Sequence, residues 1–333
     1  MEERELGTTG LTVARLGFGC GAVGGLMVRG EAAEQQQAIG TALEAGVTYF
    51  DTAPSYGDGR SETNLGRALA SLAEADRAIV GTKVRLSPAE LADPDGVGAA
   101  IRRSLEQSLR RLGRERVDLL QLHNPIREAP GPDEPGAVQT ARALGEITDG
   151  LHALVQEGKA GHAGFTGAGD TAALQHVLDH GRFETVQAYH NAINPSAVWP
   201  GASGGEQDFD GLVGTAAGRG VGVINIRVYA AGALAGDVQR HPIAADVGGR
   251  PLVQGGEYED DVARSSGPAR LAAELGLDSA MELGLRLALA APGISTVLVG
   301  LSSLEHLQAA LRWEAHGPLP DSAVDRVVTL ARS

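Results

Sequence analysis

Asp51, Tyr56, Lys83 and His123 are the residues of this sequence whose types and spacing could do chemistry together. Asp51 closes the apolar run VTYFD, Tyr56 follows in the loop TAPSYG, Lys83 closes AIVGTK, and His123 closes VDLLQLH. Singly, each has an ordinary reading: a strand-end Asp caps a helix, a loop Tyr packs, a Lys is solvated, and the His is a satisfied core group. Together they make an acid. A tyrosine hydroxyl ionises at about pH 10 and needs a neighbouring cation to work nearer neutrality. Lys83 can supply that cation, and Asp51 can hold it by a charge-assisted hydrogen bond. His123 can orient a carbonyl oxygen and help carry its proton. If hydride reaches the carbonyl carbon, the charge growing on the oxygen faces Tyr56 and His123. Trp199, in a later loop, is expected either to join Tyr56 and His123 as a wall of the substrate pocket or to pin its own loop. Lysine is scarce here: of 28 basic residues, 26 are Arg and only Lys83 and Lys159 are Lys. A Lys persisting in so Arg-rich a chain suits a place where a compact, tunable ammonium is wanted.

The elements that must position these groups follow from hydrophobic pattern. Short apolar runs predict strands at 15–19, 47–51, 78–83, 117–122, 162–166, 185–189, 221–227 and 296–299. Helical patterns lie between and after them, at 32–45, 62–73, 97–112, 144–157, 171–180, 209–218, 270–290 and 303–313. Eight alternating units in 333 residues predict a single domain spanning 1–333, a (β/α)8 TIM barrel, with REL and GLTV forming an N-terminal hairpin that closes the bottom. In a parallel barrel all strand ends meet on one rim, so the four candidate residues converge there. Long loops at 124–142, 192–208 and 232–268 are expected on that same C-terminal face.

Composition excludes several classes. A net charge of −14 argues against nucleic-acid or anionic-membrane partners. Cys20 is the only cysteine, which excludes an intrachain disulfide and favours a cytoplasmic setting. The start MEERELGTTG lacks the apolar core of a signal peptide, and no run reaches the ~20 apolar residues of a membrane helix. The nine His residues show no metal-ligand spacing, so no metal is expected. One decoy needs weighing: Gly19, Gly21 and Gly24 spell the G-x-G-x-x-G of a dinucleotide-binding open sheet. The turn does not open straight into a helical pattern, and Asp51 stands too far downstream to be that motif's ribose-binding acid. Gly21 is better read as flat backbone at the end of a first barrel strand, leaving room for a planar ligand.

TYFDTAPSYGDGRSETNLGRAL, GTKV, DLLQLHN, EGKAGHAGFTG and VQAYHNAINP stand in the order and spacing of the aldo-keto reductase superfamily, which the chain resembles from RELGTTGLTVARLGFG to VLVGLSSLEHLQAAL. The resemblance implies a catalytic tetrad of Asp51, Tyr56, Lys83 and His123, with Tyr56 as the acid/base. It also implies an NADP or NAD cofactor across the barrel top and a small carbonyl or alcohol substrate. By position, Thr166 and Gln187 would hold the nicotinamide carboxamide. Ile226 would cover the ring where the family usually has an aromatic, and Arg227, in place of a small residue, would reach the pyrophosphate. Gly300, Ser302 and Ser303 would contact the adenosine-side phosphate and ribose. His306 is the nearest basic candidate for a 2′-phosphate, since no Arg or Lys precedes Arg312 in that segment. Gly167 stands where an Asn is usual. INIRVYAAGAL is similar to a branch of aldose and pyridoxal dehydrogenases, implying oxidation of a cyclic hemiacetal or alcohol. The same fold also serves non-catalytic nicotinamide-binding partner proteins, the alternative function.

Overall fold

The computed structural model describes residues 1–93, 96–134, 136–245 and 257–332. Two antiparallel strands, β1 (Glu3–Glu5) and β2 (Thr12–Ala14), form the hairpin. The next strands are β3 (Leu16–Gly19), β4 (Tyr49–Asp51), β5 (Ile79–Val84) and β6 (Val117–Leu122). A two-residue pair follows, β7 (Ile126–Arg127) with β8 (Val138–Gln139). The last four are β9 (Ala160–Thr166), β10 (Thr185–Tyr189), β11 (Gly222–Ile226) and β12 (Thr296–Gly300). Apart from β1, β2, β7 and β8, they close into one parallel barrel in the order β10-β11-β12-β3-β4-β5-β6-β9.

Burial explains the pattern. The strands are nearly continuous apolar runs because one face packs on the helices and the other on the barrel interior. Phe18, Phe50, Val80, Leu120, Phe165, Val186 and Val223 face the helical layer in one large cluster. Inside, Tyr49, Leu119, Ile224 and Leu298 meet Leu6 and Val13 of the hairpin, which plugs the N-terminal end. The Tyr49 ring takes space that glycine yields: a Cβ on Gly81 would lie 2.4 Å from the Tyr49 hydroxyl.

Three sequence expectations need correction. The helix expected at 270–290 is two, Ser266–Glu274 and Ala280–Ala290. Gly276 breaks it by adopting a left-handed φ of 68°, and Ser279 caps the second helix. The 232–268 connection is not all loop: Ala230–Ala235 is a 3-10 turn and Tyr258–Arg264 a helix, while 246–256 lies outside the described residues. A final helix, Asp321–Arg332, was not expected. Its Val324, Val327, Val328 and Ala331 repeat at helical spacing and pack with Leu271 and Leu283. The G-x-G-x-x-G stretch opens only a one-turn helix, Leu26–Arg29, and Gly24 is pressed so close to Leu301 that a Cβ would sit 2.4 Å from its backbone.

Candidate active site

Strand register builds the site. β4 pairs with β5 so that Asp51 lies beside Gly81, and alternation brings Lys83, two residues on, to the same inner face. After Asp51 the chain turns through three left-handed residues, Gly57, Asp58 and Gly59, into the helix Arg60–Ala70. That turn folds Tyr56 back over the barrel mouth. Lys83 Nζ, fully buried, donates to Asp51 Oδ1 at 2.5 Å and to the Thr52 carbonyl at 2.8 Å, and lies 4.8 Å from the Tyr56 ring centre. The His123 ring stands edge-on to Tyr56 at 5.7 Å, and its Nδ1 is 3.4 Å from Ser55 Oγ. The four expected residues are therefore together on one rim.

A polar layer that sequence reading missed lies directly beneath. Asp51 Oδ2 accepts from Tyr49 Oη at 3.1 Å, Gln121 Nε2 at 3.3 Å and Gln187 Nε2 at 2.6 Å. Tyr49 and Gln121 had a legible signal, since each precedes a candidate residue by two in a strand and so shares its face. Gln187 does not stand free: its Nε2 is taken by Asp51, and its Oε1 accepts from Thr166 Oγ1 at 3.4 Å. Asn124, also missed, clamps two loops by accepting from Leu86 N and donating to the Leu86 and Gly136 carbonyls.

Burial and charge set the protonation states. Burial pushes the Tyr56 hydroxyl above its ordinary value, while Lys83 and Arg227 pull it back only in part. The expectation that Lys83 brings Tyr56 down is thus half right, because desolvation of the phenolate outweighs the ammonium. Burial alone would lower Lys83, but Asp51 and Tyr56 raise it overall. His123 is held well below the imidazole range by burial and by the charges of Lys83, Arg85 and Arg227. It is a neutral hydrogen-bonding group at pH 7.

The remaining expected residues ring the mouth. Gly21 presents bare backbone to Tyr56, where a Cβ would lie 3.9 Å from the ring. Ile226 ends β11 and is half-buried. Arg227 follows with a left-handed φ of 63°, and its Nη1 is buried without a partner. Gly300 ends β12 beside Gly19. Ser302 Oγ donates to the Gly24 carbonyl at 2.7 Å, and Ser303 caps the helix Leu304–Ala315. His306 stands edge-on to His241 at 5.7 Å. Trp199 packs on His190, 5.5 Å between ring centres, pinning its own loop to the end of β10. Residues 240–245 cross from β11 to the loop after β3: Arg240 donates to the Val23 carbonyl, Arg29 to the Ile243 carbonyl, and Ala245 N to Ala22. Among the described residues, no group of three or more His, Cys, Asp or Glu side chains could hold a metal ion.

His190 gives a test of the packing here. Burial pushes its imidazole down to about 3, so the unfolded chain binds a proton that the folded one refuses. Stability is complete above the unfolded value of about 6.5 and falls as pH drops below it. By pH 5 the loss from this residue is about 2 kcal/mol. His190→Phe is expected to flatten the urea-denaturation free energy between pH 7 and 5 by that amount; an unchanged slope would show that His190 takes up its proton in the fold.

A barrel whose rim gathers Asp51, Tyr56, Lys83 and His123 defines the class, and comparison places the chain within it. The Aldo/keto reductase family model matches residues 15–332, and the chain belongs to that family. It is similar to an L-galactose dehydrogenase of Arabidopsis thaliana, 30% identical over 319 residues, covering 92% of this chain and 86% of the relative. It is also similar to a pyridoxal 4-dehydrogenase of Microbacterium luteolum, 34% identical over 149 residues, covering 37% of this chain and 43% of that one. The holo form of an aldo-keto reductase from Bacillus halodurans matches with a TM-score of 0.72 at 23% identity, over 100% of this chain and 97% of that one, a likeness of fold alone. The chain is accordingly an NAD(P)-dependent oxidoreductase of aldo-keto reductase type acting on small carbonyl or alcohol compounds. Among the described residues no helix is long and apolar enough to cross a membrane.

Proposed function

We propose that this enzyme interconverts a carbonyl and an alcohol, an aldose or similar cyclic hemiacetal, with Tyr56 as the proton donor and acceptor. The observation that carries the reading is the Tyr56 ring over Lys83 Nζ, itself fixed by Asp51. The residues present fit a dinucleotide. Arg227 offers a buried guanidinium nitrogen without a partner at the rim, and the helix capped by Ser303 turns the positive end of its dipole to the same face. When bound, the nicotinamide supplies or receives the hydride. Arg227 would hold the pyrophosphate, Ile226 the ring face, and Ser302, Ser303 and Gly300 the adenosine side. Gln187 Oε1, with Thr166, would accept from the carboxamide, Gln187 Nε2 being committed to Asp51.

In the reducing direction Tyr56 Oη gives its proton to the carbonyl oxygen as the carbon gains hydride, and Lys83 offsets the charge left on Tyr56. Neutral His123 orients that oxygen by a hydrogen bond. Oxidation reverses the proton path and requires Tyr56 ionised. Because burial raises Tyr56, oxidation is expected to quicken as pH rises through the alkaline range and reduction to slow. Parallel pH profiles in both directions check this, and profiles of the same slope would contradict it. The reading itself is tested by fluorescence titration with NADH and NADPH, followed by turnover on an aldose panel. Binding of neither nucleotide would overturn it.

A further inference from the structure

The helix Leu304–Ala315 begins at the C-terminal rim, where β12 ends, and its first N–H groups face the cleft assigned above to the adenosine side. Such a terminus attracts anions, because its N–H groups lack helical partners and its dipole is positive. Here the seat is occupied by the protein itself. Glu34, from the helix Ala32–Glu44, accepts from Leu304 N at 3.0 Å. Ser303 Oγ accepts from His306 N, and the Ser302 hydroxyl is spent on Gly24. Glu305 adds another carboxylate in the first turn.

Among the described residues, no cation balances this group as a phosphate would require. His306 is the only basic residue in the turn, and Glu34 and Glu305 both act on it while His241 stands against it. Among the described residues, the guanidiniums of the adjoining loops are committed elsewhere. Arg29 donates to the Ile243 and Ala22 carbonyls, and Arg240 donates to the Val23 carbonyl and stacks on Tyr258.

We infer that Glu34 is the cofactor-specificity residue: it takes the anion seat of the Leu304–Ala315 helix and turns away a 2′-phosphate, so the enzyme uses NAD(H). This rests on the dinucleotide reading above. A second negative charge brought to the same N–H groups would meet Glu34 at contact distance, and the uncharged 2′-hydroxyl of NAD(H) meets no such repulsion. An unphosphorylated ribose can also donate to the carboxylate.

The test is nucleotide binding by the full chain, wild type against Glu34→Gln, which removes the charge and preserves the shape. Wild type is expected to bind NADH at least about tenfold more tightly than NADPH. Glu34→Gln should lose most of that preference, chiefly by gaining NADPH affinity, with NADH changed by less than about threefold. Competition with 2′-AMP and 5′-AMP reports the seat without turnover: 2′-AMP should displace NADH from Glu34→Gln far better than from wild type, and 5′-AMP equally from both. Thermal melts of the two proteins should coincide. A wild type preferring NADPH, or a preference that Glu34→Gln leaves unmoved while NADH still binds, would overturn the assignment of Glu34 alone. Binding of neither nucleotide by wild type would overturn the dinucleotide reading, and this inference with it.

Discussion

Tyr56→Phe is expected to lower kcat roughly 10²–10⁴-fold, the usual contribution of a positioned acid, while nucleotide affinity stays nearly unchanged. The substitution removes one oxygen and keeps the ring that packs over Lys83 Nζ at 4.8 Å and beside His123 at 5.7 Å. A loss in kcat without a matching change in nucleotide Kd therefore isolates the proton. Tyr49 Oη is not placed to replace it, since it lies below the rim and donates to Asp51. Steady-state kinetics with a fluorescence titration measures both halves. A variant with more than about a tenth of wild-type kcat would show that the proton travels by another route. His123 would be the group to examine next.

The second large effect is on stability. Lys83 and Asp51 are almost wholly buried, and their ion pair is short. Asp51→Asn leaves the Lys83 ammonium in the barrel without a counter-charge, and breaking a buried pair from one side costs about 3–5 kcal/mol. It also sets an amide against Tyr49, Gln121 and Gln187, all of which donate to Asp51 Oδ2. The double variant Asp51→Asn with Lys83→Met carries no buried charge at this position and should be less destabilised than Asp51→Asn alone. Urea denaturation of the four proteins in a double-mutant cycle measures the coupling. A cost below about 1 kcal/mol for Asp51→Asn would mean that water reaches Lys83. The pH dependence has a definite sign. Lys83 is raised in the fold, so its contribution is complete below its unfolded value of about 10.5 and is lost as pH climbs through the higher folded one. Tyr56 and Tyr49, both raised by burial, act in the same alkaline direction.

Much of this protein was determined by sequence alone. All eight barrel strands were legible because a strand buried on both faces must be a short apolar run, and each is interrupted by a polar rim residue or glycine. The tetrad was legible for the same reason: Asp51, Lys83 and His123 each follow such a run, so parallel strands had to bring them to one end. Helix limits were less legible. The 270–290 pattern keeps its apolar stripe across Gly276, and only the left-handed turn there separates two helices. The Asp321–Arg332 helix has its own apolar stripe, but it lies beyond the eight barrel units that the pattern requires.

What only the tertiary structure decided is whom each polar group serves. Gln187 carries no mark in sequence of its bond to Asp51, 136 positions away. Glu34 reads as an ordinary first-turn acid of its own helix until the fold lays it on Leu304 N, 270 positions on. Tyr56 shows the same limit: sequence supplied the cation that lowers a phenol, but burial, a sum over all surrounding chain segments, raises it further. Periodicity reports which face a residue occupies. Partners, charges and solvent access are set by segments distant in the chain, and these determine the protonation state of Tyr56 and the cofactor the rim accepts.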